Sequence, residues 1–360
     1  MMTILALGDI MPGGLLSLCD SQYVSDEVTK MLESADLRIG NFECAVETSC
    51  PSGKKYSAGG NTIYVREKDV SKVKELGVDI VSLANNHLFD LGPEGALKAI
   101  NILEKLGISH CGAGRNLKEA CKPVIVRRNG NTYAFIAFSD TRWRYMYEAT
   151  ENTPGVNPLK EQHVIKEIKR VAEIYDYVIV IPHWGVEYSY FPQKEVERLS
   201  KSMIDAGADL ILGGHAHKIQ PVIKFKEKYI AYCLGNFLFP DRIINTPKNT
   251  WYPNDNKIDI SSLPQVVGKC PTVDTPTIKL WYPCAYTGMI LQCTFLKNEI
   301  NTRYSLISTT NNYVKPLAKG GFLYRLILYL IGHSIRYNYY DFIFGISSFY
   351  KRVKRRIELL

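Results

Sequence analysis

Ala208-Asp209-Leu210-Ile211-Leu212-Gly213-Gly214-His215-Ala216-His217 decides how the rest of the chain reads. An apolar run short enough to be one buried strand ends in two glycines and delivers two imidazoles. The small residues at 213, 214 and 216 let the backbone turn sharply and approach an ion closely, and alternate residues near a strand end can share one side. An isolated His-x-His is equally well a pair of polar loop residues. Four other strand ends decide between the two readings.

Ile179-Val180-Ile181-Pro182 leads into His183-Trp184-Gly185-Val186-Glu187, and Val81-Ser82-Leu83-Ala84 into Asn85-Asn86-His87-Leu88-Phe89-Asp90. Thr3-Ile4-Leu5-Ala6-Leu7 hands over to Gly8-Asp9-Ile10-Met11, and Leu37-Arg38-Ile39-Gly40 to Asn41-Phe42-Glu43. Open α/β sheets gather their ligands at the carboxyl ends of strands, so Asp9, Glu43, Asn86, His183, His215 and His217 are expected to converge on one site. Oxygen and imidazole donors together suit zinc, manganese or iron, and these residues are numerous enough for one or two divalent ions.

Strand and helix patterns alternate from residue 1 to about 240. Strands are expected at 3–8, 37–41, 78–83, 177–182 and 209–212, and helices near 25–35, 68–76, 93–106, 161–174 and 194–206, the third opened by Pro93. Asn129-Gly130, between apolar runs at 124–128 and 132–138, signals a hairpin. A second β pair, 221–225 and 229–234, surrounds Lys226-Glu227-Lys228. The pattern is that of a layered α/β domain with mixed sheets. Between about 240 and 280 the chain is rich in Pro, Asn and Asp, which predicts an irregular insertion near the site, where substrate contacts often lie. Strands resume at 286–297 and 302–308. The expected organisation is a body over 1–310 and a tail over 311–360.

At 360 residues and 46% hydrophobic, the chain can bury a substantial core. Its nine cysteines are scattered and lack C-x-x-C pairs, which argues for reduced thiols. Met1-Met2-Thr3-Ile4-Leu5 lacks a basic n-region, and no apolar run reaches the roughly 20 residues that span a bilayer. A cytoplasmic location is therefore expected. From Lys315 onward nine Lys/Arg face two acidic residues, a balance of +7, leaving +1 for the preceding 314 residues. The tail mixes aromatics with Lys351-Arg352-Val353-Lys354-Arg355-Arg356, and two uses stand open: peripheral contact with an anionic membrane surface, or a helical extension packed on the body. Nothing else resembles a nucleic-acid module, and no nucleic-acid partner is expected.

Six motifs occur in a telling order: Gly8-Asp9-Ile10-Met11; Gly40-Asn41-Phe42-Glu43; Asn85-Asn86-His87 with Asp90 and Gly92; His183-Trp184-Gly185 with Glu187-Tyr188; Gly214-His215-Ala216-His217 with Gln220-Pro221; and Leu234-Gly235-Asn236-Phe237. In this order they resemble the CapA-type capsule synthesis proteins, which are associated with poly-γ-glutamate synthesis and branch from the calcineurin-like metallophosphoesterases. The resemblance spans about residues 3–308 and excludes the tail. It implies a four-layer α/β/β/α sandwich with a two-metal site at strand ends. Asp9 and His217 would hold one metal, Asn86, His183 and His215 the other, and Glu43 would bridge them. His87 would be the general acid or a transition-state donor, oriented by Asp90. One departure stands out: phosphoesterases usually carry a histidine two residues after the first aspartate, where this chain has Met11, whose thioether is a poor donor for harder divalent ions.

The resemblance implies a metal-dependent hydrolase or transferase acting on a phosphoester or a γ-glutamyl amide within the capsule synthesis machinery. The alternative is a non-catalytic partner of a capsule synthase or exporter that grips an anionic polymer. Asn41, Asn85, Trp184, Glu187, Tyr188 and Asn236 are candidates for substrate contact or for supporting the metal-binding side chains. Arg142 and Arg144, flanking Trp143, are candidates for holding an anionic substrate. His110 and His333 read as structural.

Overall fold

Successive residues of the first strand, Met2–Ile10, face different layers. Ile4 and Ala6 pack with Phe135, Ala137 and Ile179 of a second sheet. Leu5 and Leu7 turn the other way, onto Val28 and Leu32 of the helix Asp26–Glu33 and Ile100 and Leu103 of the helix Gly92–Lys105. The second sheet repeats the alternation: Ile136 and Phe138 meet Ile168 of Glu161–Ala172 and Met203 of Lys194–Asp205. A strand buried on both faces must be apolar at every position, which is why these segments read as continuous runs. The layers stack as helix, sheet, sheet, helix, the four-layer sandwich that the resemblance implies. The computed structural model describes residues 1–317, apart from 19–21, 58–59, 143–145, 246–247, 254–258, 268–274 and 298. The tail beyond Leu317, with His333, lies outside the described residues, as do Trp143 and Arg144, while Lys315–Pro316 pairs antiparallel with Ile300–Ser308.

In the first sheet Met2–Ile10, Leu37–Phe42, Ile80–Ser82 and Ser109–Cys111 run parallel. On its other side the first strand pairs antiparallel with Thr287–Phe295, which forms a hairpin with Ile300–Ser308. The second sheet has Asn131–Ser139, Tyr177–His183, Leu210–Leu212 and Lys228–Ala231 in parallel, flanked by antiparallel Val124–Arg128 and Val222–Phe225. Both expected hairpins form with two-residue turns. Asn129 and Gly130 have φ of 50° and 77°, and Lys226 and Glu227 have 48° and 62°, the left-handed pair that matches strand twist.

The segment expected to be irregular over 240–280 instead contains Arg242–Asn245, Asn249–Thr250, Gln265–Val267 and Thr277–Leu280, joined in a four-stranded sheet. Strands of two to four residues are too short to show a period. They are held by a tertiary contact: the fully buried Arg242 guanidinium donates to Thr62 O at 3.2 Å and Thr250 Oγ1 at 3.3 Å. The strand expected over 229–234 ends at Ala231. From there the chain crosses between sheets, and Asn236–Leu238 pairs parallel with the first strand.

The first strand carries one extra residue where the site begins. Ala6 lies opposite Ile39 but Asp9 lies opposite Asn41, three residues against two. Such a bulge reverses which face the next side chain takes, and it turns Asp9 to the side where the second sheet ends. Gly8 makes it possible, since a Cβ there would lie 1.8 Å from the Gly235 carbonyl oxygen. Gly8→Ala is expected to destabilise the fold by roughly 1–3 kcal/mol or more. A urea midpoint equal to that of the unaltered protein would show that the bulge tolerates a side chain.

Candidate metal centre

Five parallel strands, Met2–Ile10, Leu37–Phe42, Ile80–Ser82, Tyr177–His183 and Leu210–Leu212, deliver their ends to one place. Asp9 and Glu43 are completely buried, with His183, His215, His217 and Asn86 nearly so. Backbone pairing fixes these ends: Gly214 N donates to Pro182 O at 3.0 Å between neighbouring strands of the second sheet, and Asp9 N of the first sheet donates to Gly235 O of the crossing segment at 2.9 Å. Gly214 sits beside two of these side chains. A Cβ there would come within 3.1 Å of Asp9 Oδ1 and 3.3 Å of His183 Nδ1. His215 and His217 both have left-handed φ, of 85° and 49°, a conformation non-glycine residues hold only where surroundings enforce it.

Two clusters share one carboxylate. One ligand atom from each of Glu43, His183 and His215 lies within 4.8 Å of the others, and the same holds for Asp9, Glu43 and His217. On the first side His183 Nε2 is 3.1 Å from His215 Nδ1, 2.8 Å from Asn86 Oδ1 and 3.4 Å from Glu43 Oε1. On the second, His217 Nδ1 is 3.2 Å from Asp9 Oδ2 and His217 Nε2 is 3.6 Å from Glu43 Oε1. Asp9 Oδ2 and Glu43 Oε1 have no hydrogen-bond donor, the His217 contact being close enough for attraction but not aligned as a bond. Buried anionic oxygens left without donors are costly, and a cation between them removes the cost. These residues therefore fit a divalent ion, and the shared Glu43 fits a pair.

The electrostatics divide the histidines. Burial pushes His183 down to about 4 and His215 to about 3, so both are neutral near pH 7 and present lone pairs. Burial also opposes charge on His217, but Glu43 and Asp9 outweigh it and hold its pKa well above the usual histidine range. Glu43 is pushed up by burial and by Asp9, while for Asp9 the pull of His217 and His183 overcomes burial and lowers it. In the ion-free protein a proton on His217 stands in for a cation.

Several of the remaining predicted residues surround this cluster. Asn41 Nδ2 donates to Asp9 Oδ1 at 2.8 Å and Glu43 Oε2 at 3.2 Å, and its Oδ1 accepts from Asn85 Nδ2 at 3.1 Å. Asn85 Oδ1 in turn accepts from the backbone of His87 at 3.1 Å and Leu88 at 2.9 Å, shaping the turn that presents Asn86 and His87. His87 Nδ1 is 2.6 Å from Asp90 Oδ2, whose position is fixed by Ile63 N at 2.8 Å. Burial and the nearby Lys55 hold the His87 imidazole below its ordinary range. Asn236 Oδ1 lies 2.9 Å from His217 Nδ1.

Trp184 is a core residue, its indole donating to Tyr232 O at 3.0 Å behind the glycine loop, which removes it from substrate contact. Glu187 is solvent-exposed on the edge of the cleft, where desolvation is outweighed by the positive charge of His217 and Lys55, which lowers its pKa. Tyr188, with φ 61°, donates its backbone N–H to Ala216 O at 2.7 Å and sets its ring 6.1 Å from His217. Arg142 is exposed and paired with Asp140 at 2.6 Å and Glu195 at 3.4 Å, so its charge is already matched.

Lys55 is the residue that sequence reasoning missed. Its ammonium is 3.2 Å from Asp90 Oδ1 and donates to Asn86 O at 3.0 Å, tying the His87 turn to a segment about thirty residues earlier. The only signal was a Lys54-Lys55 pair among small residues, which by itself reads as a solvated loop. Trp281 and Phe239, from the insertion and its approach, wall the other side, with ring centroids 6.0 and 5.0 Å from His217.

An ion taken up at Asp9, Glu43 and His217 would have to displace a proton, so its affinity is expected to rise as pH increases through neutrality. Calorimetric titration with Zn²⁺ in buffers of different ionisation enthalpy should show net proton release; a buffer-independent heat would contradict the charged His217.

Comparison with known proteins follows the same residues. Residues 3–241 match the family described as bacterial capsule synthesis protein PGA_cap. The chain is 33% identical over 248 residues to the capsule biosynthesis protein CapA of Bacillus anthracis, covering 66% of this chain and 60% of that protein. It is 32% identical over 240 residues to the PGA biosynthesis protein CapA of Bacillus subtilis, covering 65% and 62%. The matches thus span about 60% of the length of these relatives. Among solved structures, a phosphatase from Mycoplasma pneumoniae aligns with 88% of this chain and 92% of its own at 13% identity and a TM-score of 0.45, a distant likeness that leaves function to be argued from the site. The run from the first strand to the crossing strand, with the buried cluster it encloses, makes this chain a member of the bacterial capsule synthesis protein family PGA_cap.

Proposed function

We propose that the protein is a metal-dependent hydrolase or transferase acting in capsule or poly-γ-glutamate synthesis on a phosphoester or a γ-glutamyl amide. The observation that carries this reading is the pair of unmatched buried oxygens on Asp9 and Glu43 beside neutral His183 and His215. Asp9, Glu43 and His217 would hold one ion, and Glu43, Asn86, His183 and His215 the other. When bound, two divalent ions supply Lewis-acid polarisation of the attacked group and acidify a water.

The chain's own residues supply the rest. Asn41 fixes Asp9 and Glu43 in the orientation that points their free oxygens inward. Asp90, accepting from His87 Nδ1–H, leaves Nε2 of the neutral imidazole as the nitrogen that would take a proton from the attacking water and pass it on to the leaving group. Lys55 holds both Asp90 and the Asn86 carbonyl, so it ties the Asn86 amide to the His87–Asp90 pair. Glu187 lines the accessible side, where a substrate would enter. A site built only to grip a polymer has no use for a buried His87–Asp90 pair, which favours chemistry over binding.

The test is hydrolysis of aryl phosphoesters and γ-glutamyl peptides by protein of measured metal content. His87→Ala is expected to lower turnover about 10²- to 10⁴-fold with metal content unchanged. Metal content falling in parallel with activity would make His87 a ligand. Chelation is expected to abolish activity and added Mn²⁺ or Zn²⁺ to restore it; reconstituted protein inert on both substrates would remove the enzymatic reading.

A further inference from the structure

Met11 leaves the Asp9 side of the centre short of a donor. The residue is completely buried within an apolar cluster that also contains Phe239 and Trp281, and it offers only a thioether. A different residue stands beside Asp9. Asn236 lies opposite Asp9 on the parallel crossing strand Asn236–Leu238 and is completely buried. Its Nδ2 donates to Ala285 O at 3.0 Å, which turns Oδ1 toward His217 Nδ1, 2.9 Å away.

The two halves of the centre are then alike. On one side an amide oxygen, Asn86 Oδ1, is 2.8 Å from a ligand histidine nitrogen, and on the other Asn236 Oδ1 is 2.9 Å from one. Separations near 3 Å are those between neighbouring donors around an ion whose bonds are about 2.0–2.2 Å long. We propose that Asn236 Oδ1 is a protein ligand of the ion held by Asp9, Glu43 and His217, taking the place that Met11 cannot fill. This rests on the two-ion reading above. The donor set at this ion is three oxygens and one nitrogen, against two and two at the other, so it takes the harder divalent cation, Mn²⁺ in preference to Zn²⁺.

The competing role for Asn236 is to accept a hydrogen bond from His217 Nδ1, leaving only Nε2 for the ion. Metal-free full-length protein titrated with Mn²⁺, with bound ions counted by electron paramagnetic resonance, should bind two. Asn236→Leu, of similar size, should lose one of them or bind it at least about tenfold more weakly, while Asn236→Asp should keep both. Anomalous diffraction from Mn²⁺-loaded crystals of the unaltered protein is independent of how the variants fold. An ion at bonding distance from Asn236 Oδ1 confirms the ligand, and one beyond 3 Å overturns it. Two ions bound equally tightly by Asn236→Leu would overturn it as well, with the two-ion reading intact. An unaltered protein that binds no Mn²⁺, or only a single ion remote from Asp9, would overturn that reading and this one together.

Discussion

Asp9 and Glu43 are buried side by side with one oxygen each left without a donor, and much of the structure serves to make that tolerable. Two carboxylates at close quarters in a low-dielectric interior repel one another and lose hydration. The fold answers with Asn41, whose amide bridges both, and with His217, whose raised pKa supplies positive charge when no ion is bound. A bound cation completes the same compensation. Glu43 belongs to both clusters, so it joins the two halves into one centre.

That constraint explains the local irregularities. The bulge at Gly8 brings Asp9 around to the second sheet, and Gly214 is bare where a side chain would press on Asp9 Oδ1 and His183 Nδ1, the sides of those groups turned toward Asn41. His215, His217 and Tyr188 adopt left-handed backbone in one loop region, strain that is held by strand pairing on both sides. The crossing segment 231–238 contributes to both sheets, which lets Asn236 arrive beside Asp9 and fixes where the sheets meet. Around this rigid pair of sheets the accessible groups, Glu187 and Tyr188, come from a loop and can vary with substrate without disturbing the buried charges.

The layered fold was legible because its causes are local. The doubly buried strands show as apolar runs, the helices as amphipathic stretches, and Asn129-Gly130 as a turn that needs φ above zero twice. The residues of the centre were legible for a related reason: each follows an apolar run, and strand ends in parallel sheets share one edge. The small sheet over 240–280 was not, since strands of two to four residues carry no period and depend on buried Arg242 for their place. Trp184 looked like a site residue by adjacency alone and proved to be core, because residues on either side of a strand end point in opposite directions.

By itself the sequence determined which side chains stand at strand ends, and hence that acids, amides and imidazoles would gather at one edge. Only the tertiary structure decided how they divide. It charged His217 while leaving His183 and His215 neutral, brought Lys55 from a small-residue loop to Asp90, and set Asn236 against His217. The physical reason is the range of the forces. Strand and turn preferences are written within a few residues, whereas the charge on a buried histidine and the partner of a buried amide depend on atoms that meet only when two sheets close.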